Sequence, residues 1–365
     1  MLSDLKVKVG PQVYRYAKDA IDFVPKMFEE FNAKKILVVH GTISWEKAKK
    51  FIHFLDDERF EFYYHQYTGE CSYYGVDLIK QKVDENNIDF ILGVGGGKLS
   101  DLVGLSGHML NLPYGVIPTL ASNCAPWTPL SVMYKESGES EGKSEHYLRQ
   151  AAFLITDPYL VIDSPIEYFI AGLADTLAKW YEAVVLVERN NKFNDPFVRM
   201  GLEAAKITRD VLLRDANGAL EAMEKGEVTE SFKNAVDTVF AISGCVGCFG
   251  VHYGRMAGAH AVHNGMSLVK ETHSVLHGTK VSYGILVQLL AEGKREEVEK
   301  LVPFYKANDL AYNLACVNVT EDVEEKMQKI AEFAASEKET FKLAVDVCTP
   351  EVVVAAMKEL EELTK

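Results

Sequence analysis

Between residues 34 and 157 the chain alternates between two hydrophobic periods, and that alternation narrows the fold more than any other feature. "KKILVVHG" (34–41), "FEFYYHQY" (60–67), "IDFILGVG" (88–95), "YGVIPT" (114–119) and "AAFLITD" (151–157) read as strands. The intervening segments 44–56, 75–87 and 98–110 carry apolar residues at helical spacing. Strands this apolar, separated by helices, belong in a parallel sheet covered on both faces. After "VIDSP" (161–165) the texture changes: Pro165 stands where a helix begins, and long amphipathic segments run to Lys365. The expectation is an α/β domain over 1–162 followed by an all-α domain over 163–365, with the boundary near 158–166. A chain of 365 residues is long enough for two such cores. No repeat or low-complexity linker separates them, so the two are expected to pack directly and to shape a small-molecule cleft.

Charge and cysteine content exclude several classes of partner. A formal charge of −14 without a basic cluster repels nucleic acid and anionic membrane surfaces, so neither is an expected partner. No apolar run approaches the roughly 20 residues of a membrane span, and "MLSDLKVKVG" has no apolar signal core, which implies a cytoplasmic protein. Six cysteines do not make a disulfide framework at this length. Cys245 and Cys248 form one C-x-x-C, but Cys316 and Cys348 are too far apart to complete a zinc site. Buried thiols in a reducing cytosol are expected.

"FILGVGGGKLSD" (90–101) places Gly93, Gly95, Gly96 and Gly97 directly after a buried strand and then opens a helix. Glycines there let backbone approach a ligand, and the helix start offers unpaired N–H groups suited to a pyrophosphate. Neither standard phosphate motif is complete, because Lys98 takes the last glycine position of G-x-G-x-x-G and Leu99 replaces the Walker Ser or Thr. A phosphate cradle and a plain tight turn both fit.

"GAHAVHNGMSLVKETHSVLHG" (258–278) gathers His260, His263, His273 and His277, four of the chain's ten histidines. On helices, His260 and His263 share a face, as do His273 and His277. A metal acting as a Lewis acid commonly takes imidazoles plus a carboxylate and keeps one position open. "AGLADTLAKWYEA" (171–183) offers Asp175 early in an otherwise apolar helix. Each histidine taken singly can equally be a satisfied core residue.

Taken in order, "GECS" (69–72), "GVGGGKLSD", "PTLASNCAPWTPLSVMY" (118–134), "GLADTLAKWYEA", "GAHAVHNG" and "HGTKVSYG" (277–284) resemble the glycerol dehydrogenase group of the iron-containing alcohol dehydrogenase superfamily. The resemblance runs through the whole chain. It implies a Rossmann-like dinucleotide-binding α/β domain and a helical domain, the fold shared with dehydroquinate synthase. It implies that Asp175, His260 and His277 hold a divalent metal, zinc in the glycerol dehydrogenases. Iron-dependent relatives add a His one turn after the Asp; Lys179 stands there, leaving three protein ligands and an open position. His263 would line the site or support its ligands, and His273 would have a surface or structural role. The resemblance also assigns NAD(P)H to Gly95, Gly96, Gly97, Lys98, Asp101, Thr119, Ser122, Thr128, Leu130 and Tyr134. A homo-oligomer acting on a small-molecule substrate is implied as well. His263 and a water chain are the candidates for relaying the proton.

Two positions depart from the glycerol dehydrogenase pattern. Cys124 replaces an Asp that binds the polyol, and a thiol is a poor partner for a hydroxyl. His40 replaces the Asp that ends the first Rossmann-like strand, "ILVVHG", in NAD-preferring members, removing a carboxylate that would repel a 2′-phosphate. "CAPWTPLSV" and "HGTKVSYGILVQ" resemble the hydroxycarboxylate dehydrogenase branch, whose members reduce 2-oxo acids; Ala174 stands for a Gly of that branch. Lys179 and Arg255 are then candidates for the substrate carboxylate. The alternatives are oxidation of glycerol, a phosphorylated substrate (which would need a larger basic cluster) and a non-catalytic sensor.

Overall fold

The computed structural model of the protein describes residues 5–138 and 140–365. The expectation about a signal sequence rests partly on residues 1–4, which lie outside the described residues. The chain divides into two compact units, one formed by Lys8–Pro165 with Lys225–Val228, the other chiefly by Ile166–Glu224 and Thr229–Lys365.

The first unit is built on a six-stranded parallel sheet in the order β1-β8-β5-β4-β2-β3. Its strands are β1 (Val13–Tyr16), β2 (Lys35–His40), β3 (Glu61–Gln66), β4 (Phe90–Gly95), β5 (Tyr114–Pro118) and β8 (Phe153–Thr156). The antiparallel pair β6 (Leu130–Tyr134) and β7 (Ser140–His146) stands apart from it. Four helices accompany the strands before β8: α1 (Val24–Glu30), α2 (Ile43–Ala48), α3 (Tyr73–Asn86) and α4 (Gly97–Met109). Every residue of β4, β5 and β8 is buried, as a sheet covered on both faces requires. Phe28 of α1 anchors the core, with the rings of Phe54, Phe60 and Phe90 packed around it edge-on. The segment 44–56 does not form one helix: α2 ends at Ala48 and two 3-10 turns, Lys49–Phe51 and His53–Asp56, complete it. Asn87, in the left-handed conformation, closes α3 before β4.

After α5 (Pro158–Ile162), the second unit is helical among its described residues. It comprises α6 (Ile166–Arg189), α7 (Pro196–Lys225), α8 (Glu230–Asp237), α9 (Ser243–Gly250), α10 (Gly258–Met266), α11 (His277–Ala291), α12 (Arg295–Ala307), α13 (Val323–Ala334) and α14 (Pro350–Thr364). A π-turn at Thr238–Ile242 fuses α8 to α9. The fused stretch Glu230–Gly254 corrects one sequence expectation, being long and apolar enough by composition to cross a membrane. In the fold 67% of that window is buried, and Phe232, Val236, Val239 and Phe240 lie in the interior of the unit. None of the six cysteines forms a disulfide. Only Cys71 and Cys248 are fully buried, fewer than expected; the other four are partly exposed.

Candidate active site

Three helices bring one carboxylate and two imidazoles together in the helical unit. Asp175 lies in the third turn of α6, His260 in the first turn of α10, and His277 is the first residue of α11. The Asp175 Oδ1 atom stands 3.5 Å from His260 Nε2 and 3.3 Å from His277 Nε2. One ligand atom from each residue falls within 4.8 Å of the others. Asp175 is 4% exposed, and its Oδ1 is buried without a hydrogen-bond partner. A buried, unsatisfied acceptor costs about 1–3 kcal/mol. A divalent cation among these three atoms would remove that penalty, and an oxygen plus two nitrogens is a donor set such cations accept. The residues present therefore fit a metal.

The other ring nitrogens are held from behind. Glu182, fully buried on α6, places Oε2 2.6 Å from His260 Nδ1. Its Oε1 accepts from the backbone N–H groups of Ala257 (2.7 Å) and His260 (3.1 Å), and so caps α10, which has no side-chain cap of its own. His277 Nδ1 is 3.0 Å from His263 Nε2. His263 Nδ1 is 2.9 Å from Asn264 Oδ1, and Asn264 Nδ2 donates to Glu339 Oε2 at 3.1 Å. Gln288 of α11 steadies α10, accepting from Ala259 N–H at 2.9 Å. Sequence reasoning passed over Glu182, Asn264 and Glu339. For Glu182 a signal was present: Asp175, Lys179 and Glu182 fall at i, i+4 and i+7 on one helical face.

Charges at the site are strongly biased. Burial alone would raise the Asp175 pKa, but Lys179, His260 and His277 outweigh it and hold the carboxyl well below its usual range. Burial works against protonation of His260, yet Glu182 and Asp175 lift it to about 9. A cation arriving at Nε2 must displace that proton. His263 is held well below the usual histidine value by burial, with His277, Lys280 and His260 adding to the effect.

The remaining expected residues divide between nearby and distant ones. Lys179 Nζ lies 3.8 Å from Asp175 Oδ2, with its side chain 16% exposed. The guanidinium of Arg255 packs against α9, where a Cβ on Gly247 would meet it at 3.1 Å. His273 is exposed and bonds the Ser267 carbonyl at 2.9 Å. An apolar cavity of about 580 Å³ beside Met200, Ile207, Ile242 and Phe249 contains none of the Asp–His group.

In the α/β unit the glycine turn delivers Gly96 as the N-cap of α4 and Gly97 as its first residue, with no side chain capping the helix. A Cβ at Gly97 would come within 2.6 Å of Asn123 Oδ1, so any larger residue there would have to push the Asn123 side chain aside. Gly95 accepts from Thr119 N–H at 3.0 Å, and Thr119 Oγ1 is buried without a partner. Lys98 pairs with Glu70. Ser122 and Cys124 are half-buried in the loop after β5, where the Cys124 carbonyl accepts from Thr128 Oγ1 at 3.4 Å. Leu130 and Tyr134 are the two ends of β6. Asp101 is turned inward instead: its Oδ2 accepts from Val132 N–H at 3.1 Å and fastens β6 to α4. His40 ends β2, stacked on Trp45 with ring centres 4.5 Å apart, and donates from Nδ1 to the Gly41 carbonyl at 2.8 Å.

Comparison with known proteins places this geometry. The profile for "Iron-containing alcohol dehydrogenase" matches residues 11–158. Hydroxycarboxylate dehydrogenase A of Escherichia coli strain K12 is 36% identical over 300 residues, 81% of each chain. The chain belongs to the iron-containing alcohol dehydrogenase family. Like the family, it is an oxidoreductase acting on CH–OH groups. Within the family it is also similar to a glycerol dehydrogenase of Pseudomonas putida, 33% identical over 303 residues and 81% of each chain. The crystal structure of a probable glycerol dehydrogenase from Sinorhizobium meliloti 1021 superposes with a TM-score of 0.84 at 26% identity, covering 97% of this chain and 98% of that one.

Proposed function

We propose that this member of the family exchanges hydride between NAD(P)H and a small 2-oxo acid, forming the 2-hydroxy acid. The observation that carries the reading is Lys179, whose largely buried ammonium lies 3.8 Å from Asp175 Oδ2. Asp175, His260 and His277 would hold a divalent cation, zinc in this reading, which when bound supplies Lewis-acid polarisation of a carbonyl. That cation and Lys179 together outweigh the carboxylates Asp175 and Glu182 in formal charge. Such a site suits an anionic substrate, with Lys179 binding the carboxylate next to the reducible carbon. The free N–H groups of α4 at Gly97 and Lys98 receive the pyrophosphate. Thr119, Ser122, Thr128, Leu130 and Tyr134 would complete the dinucleotide site, and NAD(P)H, when bound, would supply the hydride. Similarity to hydroxycarboxylate dehydrogenase A supports the substrate class.

Similarity to the glycerol dehydrogenases favours a second reading, oxidation of glycerol to dihydroxyacetone. One experiment separates the two: NAD(P)H oxidation by the zinc-loaded protein with 2-oxo acids, glyceraldehyde and dihydroxyacetone, and the reverse reaction with glycerol. The 2-oxo acids are expected to turn over fastest. Rapid glycerol oxidation without 2-oxo acid turnover would establish the second reading. In parallel, His260→Ala should lose metal and activity together while keeping its fold; full activity in metal-free protein would end both readings.

A further inference from the structure

A neutral imidazole binds a cation through whichever nitrogen lacks the proton, so the partner of the other nitrogen decides whether it can bind at all. At His260 the outcome is dictated. A carboxylate only accepts, so Glu182 Oε2 at 2.6 Å requires the proton on Nδ1; the Nε2 proton beside Asp175 Oδ1 is then the one a cation displaces. At His277 the partner is another imidazole, which can donate or accept, and the direction is settled further along the line. Glu339 Oε2 accepts from Asn264 Nδ2 at 3.1 Å, which turns Asn264 Oδ1 toward His263. His263 Nδ1, 2.9 Å away, must then donate, and its Nε2 becomes the acceptor for His277 Nδ1–H at 3.0 Å. Every bond in the line points the same way, and His277 Nε2 is left unprotonated 3.3 Å from Asp175 Oδ1.

We propose that Glu182 and Glu339 are positioning residues which, along two separate hydrogen-bond lines, keep the proton on Nδ1 of His260 and His277 so that both Nε2 atoms are open to a divalent cation. The inference rests on the metal-binding reading above and adds to it residues that touch neither cation nor substrate. It also makes His263 a link in the second line, a role the sequence alone did not separate from proton relay. The segment carrying Glu339 is pinned for this purpose: Thr340 Oγ1 donates to the Ala257 carbonyl at 2.6 Å, beside the start of α10.

Glu182→Gln separates positioning from structure. The glutamine oxygen can still cap Ala257 N–H and His260 N–H, but its amide then presents a donor to Nδ1 and drives the proton to Nε2. Zinc affinity, measured by competition with a chromophoric chelator, should fall about 10- to 100-fold with the circular dichroism spectrum unchanged. Glu339→Leu frees Asn264 to rotate and should weaken zinc several-fold less than Glu182→Gln does. In metal-free wild type, at a pH where the rings are neutral, ¹⁵N spectra of histidine-labelled protein should show the Nδ1–H tautomer for both His260 and His277. This last measurement decides the matter even if Glu182→Gln does not fold. Zinc bound with wild-type affinity by folded Glu182→Gln, or an Nε2–H ring in the wild type, overturns the Glu182 line; unchanged affinity in Glu339→Leu overturns the second. A wild type that binds no zinc would instead overturn the metal-binding reading itself.

Discussion

Gly278 sits against the Ala171 carbonyl so closely that a Cβ built on it would lie 1.8 Å from that oxygen. No side chain can occupy that gap, and the obstacle is backbone, which cannot rotate aside as a side chain could. The contact joins α11 to α6 one residue after His277 and one turn before Asp175. Gly278→Ala would gain about 1 kcal/mol in helix propensity. Overpacking costs on the order of 1–3 kcal/mol, and a clash this short with backbone belongs at the upper end. The variant should therefore melt at lower temperature and bind zinc more weakly, because α11 must withdraw and carry His277 with it. A variant with unchanged zinc affinity would show that the close approach serves packing alone.

How much of this could be read from sequence follows from how local each signal is. β2, β4, β5 and β8 are nearly or wholly buried and spell apolar runs, so their period was visible. β1, "VYRY", is four residues long and mostly half-buried, and its pairing partner β8 lies 140 positions away; nothing local marks it. β7, "SEGKSEH", is polar throughout and pairs with β6 through an irregular register, so its strand character comes from its partner. The same holds at the site. Asp175, His260 and His277 stood out by residue type and motif. Glu182 shares a helical face with Asp175 and Lys179, but it meets His260 across 78 positions, and that face alone does not distinguish a buried clamp from a solvated charge.

Asp101 carries a pH prediction. Its carboxyl is buried beneath β6, and burial pushes its pKa from 3.8 up to about 8, only partly offset by the bond from Val132 N–H. Between pH about 4 and 8 the folded state therefore keeps a proton that the unfolded state has lost. Raising pH through that window favours unfolding, with a slope approaching ~1.4 kcal/mol per pH unit from this group. Asp101→Asn keeps an acceptor for Val132 and removes the titration. Its advantage in Tm over wild type should grow from pH 5 to pH 8. A difference that stays constant across that range would mean Asp101 is ionised in the fold.

His40 carries a prediction about the choice of dinucleotide. It ends β2 with its ring stacked on Trp45 and its Nδ1 committed to the Gly41 carbonyl, so no carboxylate stands at the strand end to repel a 2′-phosphate. NADP(H) should be used at least as well as NAD(H), and His40→Asp should shift preference toward NAD(H). Comparing kcat/KM for the two cofactors measures this. An NADH preference above roughly 30-fold in the wild type, about 2 kcal/mol, would contradict it.

Lys179 separates a substrate contact from an ion pair. Its ammonium reaches Asp175 Oδ2 at 3.8 Å, and the same position one turn along α6 aims it at the space the Asp–His group encloses. If its function were only to pair with Asp175, Lys179→Thr would alter zinc affinity and change turnover of all substrates together. If it binds the substrate carboxylate, the loss falls on 2-oxo acids alone. A charge-assisted hydrogen bond is worth about 1.5–3 kcal/mol, so kcat/KM for 2-oxo acids should drop on the order of 10- to 100-fold, mainly through KM. Dihydroxyacetone, which has no carboxylate, should be reduced as well as before. Zinc content is measured on the same samples, because removing a cation beside the metal site should leave zinc bound at least as tightly. Equal losses on 2-oxo acids and dihydroxyacetone would assign Lys179 to Asp175 and leave the substrate carboxylate without a partner on α6.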